Sequence, residues 1–309
     1  MAITGSGTAA SPYIVTTAEE LKDAMETHHS TGDYLCVELG NTIDLQYSNF
    51  ETIQTSDQYD HIDLNLAGYA IQNIFAAAPV FQLQKADHIH NGRLLNILTA
   101  SNFNSEYFIQ LGFFEKVSFS TYADVPTYSM FHSARFKQCA LGMRYKYAQP
   151  IDDGTIFKSI VLRGADTTAE SSMIDECDIM LAIDEFKSVD AEFIAQGAGA
   201  SNIINSRIMG GISVYNNSDA QYYPKLSGIN MVNSAVNFAV PNYSGTATPG
   251  ASHYFVKGHY QYKTLVNTEV LPAYTSPIDN GCVACVSTEW TNATTLTGKG
   301  FEVYGAGTK

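Results

Sequence analysis

Charge is scarce in this chain. Asp, Glu, Lys and Arg make up 16% of its 309 residues, with 17 basic against 31 acidic side chains and a net charge of −14. Phosphate contacts need clustered Lys and Arg, so nucleic acid and anionic membrane surfaces are excluded as partners. An acidic surface also keeps a dense assembly soluble. Long apolar runs are missing too, so no membrane insertion is expected. Met1 to Pro12 lack the basic start and apolar stretch of a signal peptide, which points to a protein made in a cytoplasm. The five cysteines are an odd number without the spacing of a disulfide framework. There is no phosphate loop, no nucleophile elbow and no dinucleotide fingerprint.

What the chain does have is a repeated six-residue phrase. Phe136-Lys137-Gln138-Cys139-Ala140-Leu141 and Phe157-Lys158-Ser159-Ile160-Val161-Leu162 share one pattern: large apolar, any, polar, small or apolar, any, apolar. Further copies begin at Ile89, Phe114, Ile174, Ile203 and Met231, and a weaker one at Ile71. The steps run from about 17 to 29 residues, the range of stacked repeats. Slots four and six lie two apart, on one side of a strand. Slots one and four lie three apart, so the backbone must bend at the polar slot between them. A strand, a short bend and a second strand satisfy this spacing. The expected fold is all-β, a parallel β-helix, in preference to a sandwich or propeller. Eight coils would make a rod roughly 40 Å long. Cys139 and Cys177 fall in the same inward slot two coils apart, which predicts buried free thiols too distant to bridge.

Taken in order, Tyr13 to Val15 reads as a strand. Thr17 with Glu20 is a capping box for a helix from Ala18 to about Thr27, whose apolar stripe holds Leu21 and Met25. Such a helix would cap the open end of the rod. Asn49 to Asp60 reads as a polar loop and Ile62 to Leu83 as the first complete coil. Ser120 to Tyr128, Tyr145 to Gly154, Asp184 to Glu192 and Tyr215 to Pro224 read as projecting loops. The layout predicted is 1–50 for the N-terminal strand and capping helix, 51–240 for the β-helix and 241–309 for a C-terminal β extension. That tail is a second cap, a small β domain or strands exchanged between subunits; contact with other chains is the favoured use.

The opening Gly5-Ser6-Gly7-Thr8 through Glu19-Glu20-Leu21, followed by Ile62-Asp63-Leu64-Asn65, Gly68 and Ile71-Gln72-Asn73-Ile74, resembles pectate-lyase-like right-handed β-helix proteins. The resemblance covers roughly residues 5–240. It implies a right-handed parallel β-helix of the kind found in bacteriophage virion proteins and surface glycan enzymes, and is loose for activity.

Glycan-cleaving β-helices need converging carboxylates roughly 5–9.5 Å apart. Asp175 and Asp178 both face outward in this register, but Lys158, Val161, Ile204 and Arg207 fill the matching slots beside them, so no catalytic pair is assigned. Asp152-Asp153 and Asp184-Glu185 are further acidic pairs. Gly258-His259 lacks the rest of the polygalacturonase pattern. His88 and His90 share a strand face, but two histidines without a third ligand hold metal poorly, so no metal and no cofactor are expected. Cys282 and Cys285 form a lone CxxC, read as a strand with small residues. Asn91, Asn205 and Asn233 suggest an amide ladder along the rod. Tyr145, Tyr147, Tyr215, Tyr222 and Tyr223 are candidate stacking platforms for sugars.

The function expected is a non-enzymatic structural protein of a bacteriophage virion, either a capsid decoration or a head or tail surface component. Its partners would be other virion proteins and copies of itself. The coil array begins near Met1, which leaves no separate N-terminal anchoring domain and places attachment on the rod's side, its loops or the tail. The alternative is a tailspike-like protein that binds or degrades host surface polysaccharide.

Overall fold

A computed structural model describes residues 3–27, 34–55, 61–100, 103, 107–123, 129–148, 159–163, 173–186, 192–195, 201–215, 226–227, 229–232, 234–240, 256–257, 265–267 and 283–285. Every strand pairing between named strands is parallel. The chain is an all-β parallel solenoid, with one short helix among the described residues, Ala18–Glu26.

Three apolar files run along the inside. In the first, Val37, Leu64, Ile89, Phe114, Phe136, Ile174, Ile203 and Met231 lie each beside the next. In the second, Ile43, Ile71, Leu94, Phe119, Leu141, Ile179, Ile208 and Val236 do the same. All sixteen are buried. The third file passes through Ile53, Phe81, Ile109 and Phe131, and the backbone register of its wall continues through Leu162 and Ile194. Stacking like on like keeps each wall closely packed: Phe114 and Phe136 lie ring on ring with centroids 5.4 Å apart.

The polar slot makes the corner between the first two walls. Asn91, Lys116, Gln138, Glu176 and Asn205 all have φ between 50° and 58°. This left-handed backbone turns the chain without flipping the apolar alternation. Asn tolerates it well, and Lys, Gln and Glu accept it because their side chains point to solvent. Gly92 follows Asn91 because a Cβ there would meet the Cβ of Leu66 at 2.3 Å.

After the corner, the N–H of slot four has turned away from its strand partner. Slot-four side chains accept it from one coil on. Cys139 N–H points at Cys177 Sγ (3.4 Å), Cys177 N–H donates to Ser206 Oγ (3.1 Å), and Ser206 N–H donates to Ser234 Oγ (3.3 Å). Each acceptor donates back two residues along its own chain, as Ser206 Oγ does to Ile204 O at 2.7 Å. Buried backbone donors are therefore satisfied by a file of small polar side chains.

Several expectations are corrected. The phrase at Phe157 is not a coil of the first wall: Ser159–Arg163 lies in a separate six-stranded sheet, beside Ser129–His132 and Glu192–Ala195. Phe136 therefore sits directly beside Ile174, and Cys139 and Cys177 are one coil apart, not two. They are buried free thiols all the same. The weak copy at Ile71 belongs to the second wall, beside Leu94. The supposed loops are shorter: Phe113–Ala123, Ala140–Ala148, Asp178–Phe186 and Arg207–Tyr215 run on as strands. Ile53–Gln54 puts a strand inside the expected 49–60 loop. Beyond Val240 the second wall continues through Leu265–Asn267 and Val283–Cys285, which places Cys285 of the CxxC on a strand.

The helix forms where expected. Thr17 Oγ1 accepts from Glu20 N–H (3.2 Å), while the Glu20 carboxylate reaches back to Thr16 instead (2.8 Å). Leu21, Ala24 and Met25 are buried in the core.

Candidate functional site

Among the described residues, the outer side of the first wall gathers three side chains able to ligate a metal. In His61–Asn65 the alternation turns Ile62 and Leu64 inward, so His61, Asp63 and Asn65 face out. The next coil sets His88 beside Asp63 and His90 beside Asn65. The coil after that sets Phe113 beside His88 and Glu115 beside His90. Register alone thus gathers side chains far apart in sequence.

Distances within the cluster are short. His90 Nε2 lies 2.7 Å from Asp63 Oδ1. His88 Nδ1 is 3.7 Å from the same oxygen, and His88 Nε2 is 3.5 Å from Glu115 Oε2. The His88 ring stacks on His90 with centroids 4.6 Å apart and on Phe113 at 5.0 Å, and the Arg135 guanidinium lies over the Phe113 ring at 5.3 Å. His61 makes a short hydrogen bond through Nδ1 to the Ala86 carbonyl.

Burial pushes the Asp63 carboxyl up, but the hydrogen bond from His90 and the fields of His90, His88 and His61 outweigh it, leaving the group below the usual carboxylate range. Burial, then the neighbouring His90, holds the His88 ring below its ordinary value against the pull of Asp63 and Glu115. His61, Asp63 and His88 offer ligand atoms that all lie within 4.8 Å of one another. His61 and Asp63 are the partners that sequence reasoning missed for His88. Aligning Asp63-Leu64-Asn65 with His88-Ile89-His90, one coil on, would have found them.

The sequence-predicted residues fare differently. Asp178 is gripped by Arg207 from the next coil, Nε to Oδ1 at 2.6 Å and Nη2 to Oδ2 at 2.7 Å. Asp175 accepts from Asn205 Nδ2 at 3.2 Å. Their neighbours on the preceding coil are Lys137 and Ala140, not Lys158 and Val161. Asp184 pairs with Arg144 at 3.0 Å. Tyr145 is a correction: it is 1% exposed and points into the core, where burial pushes its phenol well above the ordinary value. It is no sugar platform. Tyr147 and Tyr215 end or nearly end the strands Ala140–Ala148 and Arg207–Tyr215. Asp152, Asp153, Tyr222, Tyr223, Asn233, His259 and Cys282 lie outside the described residues.

The polar-slot side chains bond across coils, but to mixed partners and not as a ladder of stacked amides. Asn91 Nδ2 reaches Asn65 Oδ1 at 3.5 Å, and Gln138 Nε2 donates to Glu176 at 2.6 Å. A groove of about 750 Å³ lies between the helix and the third wall. Its Lys22 and Glu26 are engaged in tethering the helix, to Thr52 O (2.6 Å) and from Gln54 N–H (2.8 Å). Among the described residues, no helix is long and apolar enough to cross a membrane.

Stacked parallel walls, left-handed corners and an internal side-chain ladder define the class: a parallel β-solenoid. The chain is similar in fold to a crystal structure from Bacteroides ovatus provisionally named an immunoglobulin A1 protease, with a TM-score of 0.53 and 12% identity over 95% of this chain and 89% of that one. No family model matches, and no curated protein does.

Proposed function

We propose that this chain is a non-enzymatic architectural solenoid of a bacteriophage particle, a capsid decoration or a component of the head or tail surface. The observation that supports this is the stitching of the outer wall. Asp178 is bound by Arg207, Asp184 by Arg144, Asp175 by Asn205 and Glu176 by Gln138, each across coils. These side chains tie one coil to another instead of converging on a substrate. The net charge of −14 suits contact with other proteins better than with nucleic acid. The Bacteroides likeness supports the solenoid frame, and at 12% identity it carries no catalytic group across. The tailspike-like alternative loses Tyr145 from its sugar platforms.

The test is mass spectrometry of gradient-purified particles, with light scattering of the isolated chain. The reading expects the chain to be a stoichiometric particle component and to self-associate. Absence from particles together with a monomer in solution would overturn it.

A further inference from the structure

We propose that His61, Asp63 and His88 form a binding site for a divalent transition-metal ion of the zinc class, which clamps two neighbouring coils together. The first argument is reach. Zinc bonds of about 2.0–2.2 Å to nitrogen and oxygen place ligand atoms roughly 3.3 Å apart in a tetrahedral site. Here His88 Nδ1 and Asp63 Oδ1 are 3.7 Å apart, and the three ligand atoms fit within 4.8 Å. Small side-chain rotations close the difference.

The second argument is orientation. Metal-bound histidines donate their other ring N–H to a carbonyl or carboxylate, which fixes the tautomer and aims the free lone pair. His61 does this through Nδ1 to the Ala86 carbonyl, leaving Nε2 for the ion. His88 turns Nε2 toward Glu115 at 3.5 Å, leaving Nδ1 facing Asp63. That Nε2 is buried with no hydrogen-bond partner. A slight shift of the ring toward an ion or of Glu115 toward the ring would complete the bond. His90, in contact with Asp63 Oδ1 at 2.7 Å, orients the carboxylate.

The third argument is donor chemistry. Two imidazoles and one carboxylate suit zinc, cobalt or nickel, whereas calcium and magnesium take oxygen donors. His61 and Asp63 belong to one coil and His88 to the next, so an ion bound only by the folded chain resists their separation.

The experiment is equilibrium dialysis and calorimetry of the full chain with zinc chloride alone. One ion per chain is expected, unaffected by excess magnesium or calcium. His88→Gln and Asp63→Asn should each weaken binding by at least about tenfold, and Glu115→Gln by about 10–100-fold through orientation. Zinc should raise the melting temperature of the wild type and not of His88→Gln. A His61→Gln/His88→Gln double variant that folds and still binds one zinc overturns the proposal. Cobalt titration of the wild type decides the matter without variants. Visible bands of four-coordinate cobalt without sulfur charge transfer support the site. Absence of those bands, or thiolate bands placing the ion at cysteine, overturns it.

Discussion

The backbone N–H of Cys139 points at the sulfur of Cys177, 3.4 Å away and one coil further along, and the two thiols remain unbridged. Neighbouring strands about 4.8 Å apart fall within the Cα range a disulfide can span, so separation is not what keeps them free. Each sulfur instead has a position in the ladder: Cys139 Sγ faces the Phe114 and Lys137 carbonyls at 3.3 Å, and Cys177 Sγ faces the Asp175 carbonyl at 3.1 Å. The contact with Cys139, together with burial, pushes the Cys177 thiol far above its ordinary value. Reactivity requires thiolate and access, and burial denies access to both sulfurs. Peptide mapping after iodoacetamide treatment should find Cys36, Cys139 and Cys177 unmodified in the native chain and modified in denaturant. Rapid native labelling of Cys139 or Cys177 would contradict the inner ladder.

Ser206 is the middle rung, and its hydroxyl is the acceptor for Cys177 N–H. Ser206→Ala leaves that buried donor unmatched and should cost about 1–3 kcal/mol in urea unfolding. Ser206→Cys should cost less, since cysteine already fills the same slot at 139 and 177. An equal loss from both variants would mean that volume, not the hydrogen bond, governs the slot.

Lys116 holds the corner at φ 54°. A β-branched residue fits this region poorly, so Lys116→Val should destabilise by about 1–2 kcal/mol. Lys116→Asn should be neutral or stabilising, as Asn already turns the same corner at 91 and 205. Thermal melts of the two variants make the comparison directly. A Val variant as stable as the Asn one would remove the backbone explanation for the polar slot.

The solenoid was legible because the phrase encodes a wall, a corner and a second wall in six residues. Slots one, four and six at Phe114, Val117 and Phe119 are all buried, as the spacing requires. The coil order was less legible. Phe157 to Leu162 obeys the same apolar pattern, yet its described part stacks in the third wall, because apolar spacing states which side is inward and not which wall a strand joins. The site was missed for a related reason. Placing a coil start at Ile71 skipped Leu64, the true neighbour of Ile89, and with it the register that sets Asp63 against His88. Tyr145 was misjudged because its strand runs on past the supposed loop start, and alternation then turns it inward.

Asp178 and Arg207 form a two-point ion pair at the surface, with side chains 49% and 55% exposed. Exposed pairs are worth roughly 0–1 kcal/mol, so Asp178→Asn should shift stability by no more than that. Reducing-end release from bacterial polysaccharide should be absent in the wild type as well as the variant. Release by the wild type that is lost in Asp178→Asn would instead favour the glycan-degrading alternative.

Asp87 sets the expected pH dependence. Its carboxylate is 2% exposed and accepts from Thr55 Oγ1 (2.5 Å), Gln84 N–H (2.7 Å) and Ile62 N–H (3.0 Å), tying the third wall to the first. Burial raises its pKa above 3.8, and these hydrogen bonds only partly offset the rise. The folded chain therefore holds the proton more tightly than the unfolded chain does. Below 3.8 the carboxyl is neutral in both states, and its proton-linked contribution to stability is fully present. As pH rises, the unfolded chain ionises first, and the contribution falls until the folded group has ionised too. Asp87→Asn does not titrate, so the stability margin of wild type over Asp87→Asn should be greatest in acid and shrink as pH rises through that window. Urea unfolding of both proteins from acid to neutral pH measures the margin while cancelling the other titrating groups. A margin that widens with rising pH would mean that the hydrogen bonds, rather than burial, dominate at Asp87.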